Sequence, residues 1–173
     1  KLTSPGPVLF AQRRSGQGGK PFTMYKFRSM VDNAEMLRVE LESFNEVNGP
    51  VFKMKQDPRV TRIGQFLRHS SVDEFPQLWN VLRGDMSLIG PRAEWVRLVT
   101  QYEQQIPCYH FRHLVKPGIT GWAQINQGHV TDVKDVTSKL HYDFYYIKNL
   151  SPWIDALIAV RTLLIMLSGH GAK

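Results

Sequence analysis

Hydrophobic and polar positions change their period several times along this chain, and each change marks an element. Residues 8–13 and 21–28 read as strands separated by the turn-rich Ser15-Gly16-Gln17-Gly18-Gly19, so the chain is predicted to open with a β-hairpin. On the second strand Lys26 and Arg28 are two positions apart. In extended backbone both project from one face and can meet the same anion; a plain solvated basic face fits equally. Residues 30–44 are rich in helix formers, with a weak apolar stripe at Ala34, Met36, Leu37 and Leu41 and a stop at Asn48-Gly49-Pro50. A short stripe at Ile63, Phe66 and Leu67 precedes Ser70. A stronger one follows at Phe75, Leu78, Trp79 and Leu82, the i, i+3, i+4, i+7 signature of a helix buried on that face, and Gly84 closes it.

Residues 87–89 suggest a short buried strand, Gly90-Pro91 a break, and residues 93–104 a helix that Pro107 ends. The stretch 115–126, VKPGITGWAQIN, carries too many turn residues for a helix and predicts a loop running into a strand, a kind of segment that often lines sites. Two more helices are expected over 136–148 and 153–167, with Ser151 placed to cap the second and Pro152 in its first turn. Only Asp155 and Arg161 interrupt that last apolar run, which at about 15 residues is short of the roughly 20 that span a bilayer. A buried core helix and a helix lying in a membrane interface with Trp153 at the headgroups both fit the pattern. The expected fold is one α+β domain over residues 1–173: a small, mostly antiparallel sheet surrounded by helices, with amphipathic C-terminal helices facing a membrane. The strands are too few for a doubly wound sheet.

Charge narrows the partners. A formal net charge of +7 favours anions: nucleic acid, a phosphorylated metabolite, or the anionic face of a bilayer. Cys108 is the single cysteine, so no internal disulfide can form, and a buried inert thiol is expected. The six histidines include no HExxH pair, which sets zinc-hydrolase chemistry aside; His110 and His113 read as surface or anion-contacting residues rather than ligands. Residues 1–7 hold neither an initiator methionine nor an apolar leader, which suggests a fragment starting inside a longer protein.

The chemistry concentrates in residues 57–94, where the adjacent acids Asp73 and Glu74 stand among arginines with no lysine. A carboxylate can attack phosphorus or hold Mg²⁺, and guanidinium forks match phosphate oxygens two at a time. Acids and arginines balance within this block, unlike a one-sided polyanion stripe. Ser71-Val72-Asp73-Glu74 fits a capping box, with Ser71 as N-cap and Glu74 as its reciprocal partner, putting Asp73 in a first helical turn. There the helix N-terminus, with Arg68 and His69, can help hold a phosphate. Asp73 lies roughly 170° and Glu74 about 90° from the centre of the Phe75, Leu78, Trp79, Leu82 stripe, so Asp73 is not expected in its helix's core. A cap glutamate and an ordinary first-turn acid would account for both residues without catalysis.

Five segments, in order over nearly the whole chain, resemble the bacterial sugar transferase family of monotopic phosphoglycosyl transferases. They are SPGPVLFAQRR at 4–14, YKFRSM at 25–30, DPRVTRIGQFLRHSSVDEFPQLWNVLRGDMSLIGPR at 57–92, VKPGITGWAQIN at 115–126, and the closing YYIKNLSPWIDALIAVRTL. The resemblance implies an enzyme that transfers a sugar 1-phosphate from a UDP-sugar to polyprenyl (undecaprenyl) phosphate, starting exopolysaccharide, capsule, O-antigen or glycoconjugate assembly. It implies Asp73 as nucleophile forming a phosphosugar-aspartate and releasing UMP, and Glu74 as its partner and Mg²⁺ ligand. Lys26, Arg28, Arg68 and Arg92 would lie near phosphates or nucleotide, and Gln124 on the nucleotide side. It also implies a place at the cytoplasmic face of the bacterial inner membrane and a family membrane helix ahead of SPGP, outside these residues. Two departures stand out: that helix is missing, and Pro91-Arg92-Ala93 replaces the family's usual Pro-Arg-Pro, leaving a turn with less built-in rigidity. The competing class is a basic, non-enzymatic module for anionic membrane or nucleic acid, though no nucleic-acid motif is present and the cations are scattered among acids. Sugar identity and oligomeric state carry no signal of their own.

Overall fold

The computed structural model describes residues 5–46, 52, 54, 56–127 and 133–168. The predicted hairpin forms from β1 (Leu9–Ser15) and β2 (Pro21–Phe27), antiparallel with Leu9 opposite Phe27 and Ser15 opposite Pro21. Helix α1 (Ala34–Glu40) is shorter than the span expected, its end tightened into the 3-10 turn Glu42–Phe44; the stop signal Asn48-Gly49-Pro50 lies outside the described residues.

Helix α2 (Arg62–His69) is capped by Thr61, whose hydroxyl accepts from the Gly64 amide at 2.9 Å. Gly64 lets the helix press against the end of the hairpin strand: a Cβ there would sit 1.8 Å from the Ser29 carbonyl oxygen. The chain then reverses through Ser71, at φ +56°, into the 3-10 turn Val72–Glu74 and helix α3 (Gln77–Leu82). The capping box is therefore not formed. Ser71 is left-handed and makes no capping bond from its side chain, so Glu74 is released from a cap's geometry.

The stripe on α3 is also inverted relative to expectation. Phe75, Leu78, Trp79 and Leu82 are exposed, Leu82 at 80%, whereas Asp73, Gln77 and Asn80 are buried. Positions 73, 77 and 80 recur at helical spacing, so this segment turns a polar face inward and its apolar face out. Asn80 explains why that is tolerated: fully buried, its side chain accepts from the Tyr25 amide (3.1 Å) and donates to the Thr23 carbonyl (2.7 Å), acting as a neighbour to β2.

Strand β3 (Ser87–Ile89) runs parallel to β4 (Gly118–Thr120), and between them lie α4 (Val96–Gln105) and the 3-10 segment Tyr109–Leu114. Residues 115–126 do not stay non-helical: after β4 the extended Gly121 starts the short helix α5 (Trp122–Asn126). Helices α6 (Val133–Lys148) and α7 (Pro152–Ser168) complete the α+β fold. One core cluster joins α4 and α6 through Leu98, Tyr102, Tyr109 and Leu140; a second lies under the hairpin at Phe22, Met24, Met86 and Ala93. The third seats α7 through Ile154 and Ile158 against Tyr146. Trp153, Val160, Leu163 and Leu164 remain exposed, so α7 is a core helix on one face and an open apolar surface on the other. No described helix is long and apolar enough to cross a membrane. Cys108 is exposed rather than buried, and it sits in a left-handed turn (φ +65°) just past α4.

Candidate active site

The hairpin supplies one wall of the site and the reversal after α2 the other. Lys26, near the end of β2, reaches Glu74 with Nζ 2.5 Å from Oε1. Arg92, just beyond β3, places Nη2 3.8 Å from the same oxygen. Glu74 is thus held between two cations from separate parts of the chain. Burial opposes its charge, but Arg92 and Lys26 together keep its carboxyl below the usual range. The same burial draws the Lys26 ammonium below its ordinary range, against the pull of Glu74.

Asp73 stands beside this pair and is only 9% exposed. Burial lifts its carboxyl above the ordinary value; Lys26 pulls against that lift, Glu74 adds to it, and Arg68 pulls against it. The result is two adjacent acids with opposite shifts, one charge-neutralised by contact and the other desolvated and more basic. Such a divergence suits two roles at one centre.

Arg68 projects from the last turn of α2, where its Nε donates to the Ser29 hydroxyl at 2.9 Å, and its charge is felt at Asp73. His69 is exposed on the same turn. Arg28 turns to the Pro5 carbonyl and to Asp32, 3.6 Å away, so the ion pair of Arg28 differs from that of Lys26 despite their shared strand direction. Gln124, in α5, donates to the Ile119 carbonyl at 2.9 Å, and its Oε1 is buried with no hydrogen-bond partner among the described residues. The structure therefore gathers Lys26, Arg92, Asp73 and Glu74, sets Arg68 within electrostatic reach, and gives Arg28 and Gln124 other contacts. His113 is buried and edge-on to Tyr109, whereas His110 packs on Phe111.

Residue-by-residue reading missed the supports. Asn80 fixes α3 to β2 and so sets the reach from Lys26 to Glu74; its signal was the buried polar spacing it shares with Asp73 and Gln77. Ser29, inside the YKFRSM segment, orients Arg68. Arg14, Glu94 and Arg112 lie under Arg92, and isolated charges in helices and strands gave no warning that they would be buried.

Among the described residues no three His, Cys, Asp or Glu side chains gather into a metal cage. A divalent ion here would have one or two carboxylates and would complete its shell with substrate oxygens and water. That donor set fits Mg²⁺, which commonly binds in this way beside phosphates.

A family model described as bacterial sugar transferase matches residues 1–169. The chain is 48% identical, over all of its length, to a UDP-N-acetylgalactosamine-undecaprenyl-phosphate N-acetylgalactosaminephosphotransferase of Aeromonas hydrophila. It is 46% identical over 94% of its length to a UDP-glucose:undecaprenyl-phosphate glucose-1-phosphate transferase of Xanthomonas campestris pv. campestris. A galactosyl transferase of Streptococcus agalactiae serotype III is 43% identical over 97% of it. The chain spans 38%, 32% and 36% of these proteins' own lengths, about a third in each case.

Proposed function

The chain belongs to the bacterial sugar transferase family, and from that premise we propose that it catalyses transfer of a sugar 1-phosphate from a UDP-sugar to a polyprenyl phosphate at a membrane surface. The observation that carries this reading is the buried Asp73 set beside a Glu74 already clamped by Lys26 and Arg92. Relatives bearing the names of undecaprenyl-phosphate sugar phosphotransferases support the reaction class.

In the first step a carboxylate oxygen of Asp73 attacks the β-phosphorus of the donor. The new O–P bond forms as the bond from the β-phosphorus to the bridging oxygen breaks, and that oxygen departs with UMP. In the second step a phosphate oxygen of the polyprenyl carrier attacks the same phosphorus and frees the Asp73 carboxylate, leaving a polyprenyl diphosphate sugar. Desolvation makes Asp73 a stronger nucleophile than a solvated carboxylate. Lys26, Arg68 and Arg92 offset the repulsion between that carboxylate and the incoming phosphates and stabilise charge as it develops. Glu74 keeps Lys26 and Arg92 oriented; together with the donor's phosphates it would hold Mg²⁺, which supplies further neutralisation of the leaving phosphate when bound.

The lipid acceptor brings a surface requirement, and the outward apolar side chains meet it. Phe66 on α2 and Phe75, Trp79 and Leu82 on the following segment are all more than half exposed, an arrangement suited to the headgroup boundary rather than to water. This supports attachment to a membrane surface.

Membranes carrying the full-length protein, given a panel of UDP-sugars, polyprenyl phosphate and Mg²⁺, test the proposal. UMP release with one donor, abolished by chelation, is the expected result. Absence of UMP release across the panel, combined with salt-sensitive binding to anionic vesicles or nucleic acid alone, would favour a non-enzymatic basic module instead.

A further inference from the structure

Four consecutive carbonyls around Arg92 are taken by four donors from two distant segments, residues 14–15 and 112–118. The Pro91 oxygen accepts from the Gly118 amide at 2.9 Å, and the Arg92 oxygen from Arg112 Nη2 at 3.0 Å. The Ala93 oxygen accepts from Arg14 Nη1 at 2.9 Å, and the Glu94 oxygen from the Ser15 amide at 2.9 Å. The outer two are β-bridge bonds, whereas the two between them are made in succession by arginine side chains, a less common partner for a backbone carbonyl than another backbone amide.

The two guanidinium groups are themselves immobilised. Arg112 donates through Nε to Asp143 at 3.0 Å and through Nη1 to the Tyr109 hydroxyl at 2.9 Å, and Arg112 and Asp143 are 3% and 2% exposed. Arg14 lies 3.9 Å from Glu94, whose other neighbour is Lys139 at 2.5 Å. Burying this many charges is a costly way to fill space, since apolar side chains would do so at least as well. The side chain of Arg92, by contrast, is 40% exposed and its guanidinium reaches Glu74. It is an accessible cation on an over-determined root, in the segment where Ala93 gives no help from a proline ring.

We propose that Arg112 and Arg14 are positioning residues for Arg92, fixing its backbone so that its guanidinium stands at Glu74 and the transferred phosphate. This rests on the reading of Arg92 as a phosphate-contacting group. Lysine at either position keeps the charge but lacks the planar fork, with which Arg112 serves Asp143, Tyr109 and the Arg92 carbonyl at once and Arg14 reaches the Ala93 carbonyl.

The test is a mutant cycle in the full-length membrane enzyme, reading kcat and KM for UMP release from the donor found with the UDP-sugar panel. Arg112→Lys is expected to lower kcat/KM about tenfold with Arg92 present, since a misplaced group near the chemistry loses rate steeply. In the Arg92→Ala background, itself down about 10- to 100-fold, Arg112→Lys should change kcat/KM by less than about twofold. Equal losses in both backgrounds, or no loss in either, would overturn the positioning role while leaving the role of Arg92 intact. An unaffected Arg92→Ala enzyme would overturn the reading of Arg92 and this proposal with it. Should Arg112→Lys not melt cooperatively, Arg14→Lys replaces it in the same cycle; misfolding of both variants assigns the pair to stability alone and also overturns the proposal.

Discussion

Lys26 Nζ and Glu74 Oε1 lie 2.5 Å apart although 48 positions separate them in the chain. The contact ties the hairpin to the reversal that presents Asp73, and Asn80 braces it by binding α3 to the backbone of β2 at Thr23 and at Tyr25, the residue next to Lys26. The side chains of Lys26 and Glu74 are 17% and 22% exposed, so each would be left in a partly desolvated place without its partner.

Lys26→Met should therefore destabilise the fold by about 1–3 kcal/mol, the cost of leaving Glu74 short of a partner. Glu74→Gln alone should also destabilise it. The double variant should lie closer to wild type than the sum of the two, with a coupling of about 1 kcal/mol, while UMP release stays lost in all three. Denaturant unfolding with parallel rate measurements checks this; strictly additive stabilities would show that the pair does not interact.

The exposed stripe on α3 gives a second expectation that separates the structure from the periodicity. A core leucine exchanged for serine would cost roughly 2–5 kcal/mol, whereas Leu82→Ser at an exposed position should change stability by no more than about 0.5 kcal/mol. If that face meets lipid, brominated phospholipids should quench the emission of the wild-type protein more than that of Trp79→Phe. Severe destabilisation by Leu82→Ser, or equal quenching of both proteins, would contradict a lipid-facing stripe.

The sequence made the hairpin, the last two helices and the acid pair legible because each carries a local signal: turn glycines, a Ser-Pro start, adjacent carboxylates. Periodicity located the helix after the acid pair but could not say which side faces in. A 3.6-residue stripe reports a boundary between apolar and polar surroundings, and here the polar side chains of Asp73, Gln77 and Asn80 are the ones turned inward. Ser71 misled because its sequence context fits a cap, whereas the residue takes a left-handed conformation at the reversal after α2 and makes no capping bond from its side chain. The supports of Arg92 were illegible because Arg14, Glu94, Arg112 and Asp143 meet only through tertiary contacts.

A pH dependence follows from Glu94. Burial opposes its charge, yet Lys139, then Arg112 and Arg92, hold its carboxyl down to about 2 from an unfolded value of 4.5. A depressed folded value means that the stability it contributes is fully present above pH 4.5 and is lost as pH falls toward 2. Wild type should exceed Glu94→Gln by about 3 kcal/mol at neutral pH, with the gap closing across that acid window. Denaturant unfolding at a series of pH values checks it; a gap that stays constant down to the acid end would place the effect in packing rather than charge.

The nucleophilic role of Asp73 is tested most directly by the intact mass of the enzyme after mixing with its UDP-sugar donor and Mg²⁺ in the absence of polyprenyl phosphate. Expected are UMP release of at most one equivalent, a mass gain of one sugar phosphate that digestion maps to the peptide containing Asp73, its discharge on adding polyprenyl phosphate, and none of these with Asp73→Asn. UMP release that requires polyprenyl phosphate from the outset, with no adduct, or normal turnover by Asp73→Asn, would contradict that role.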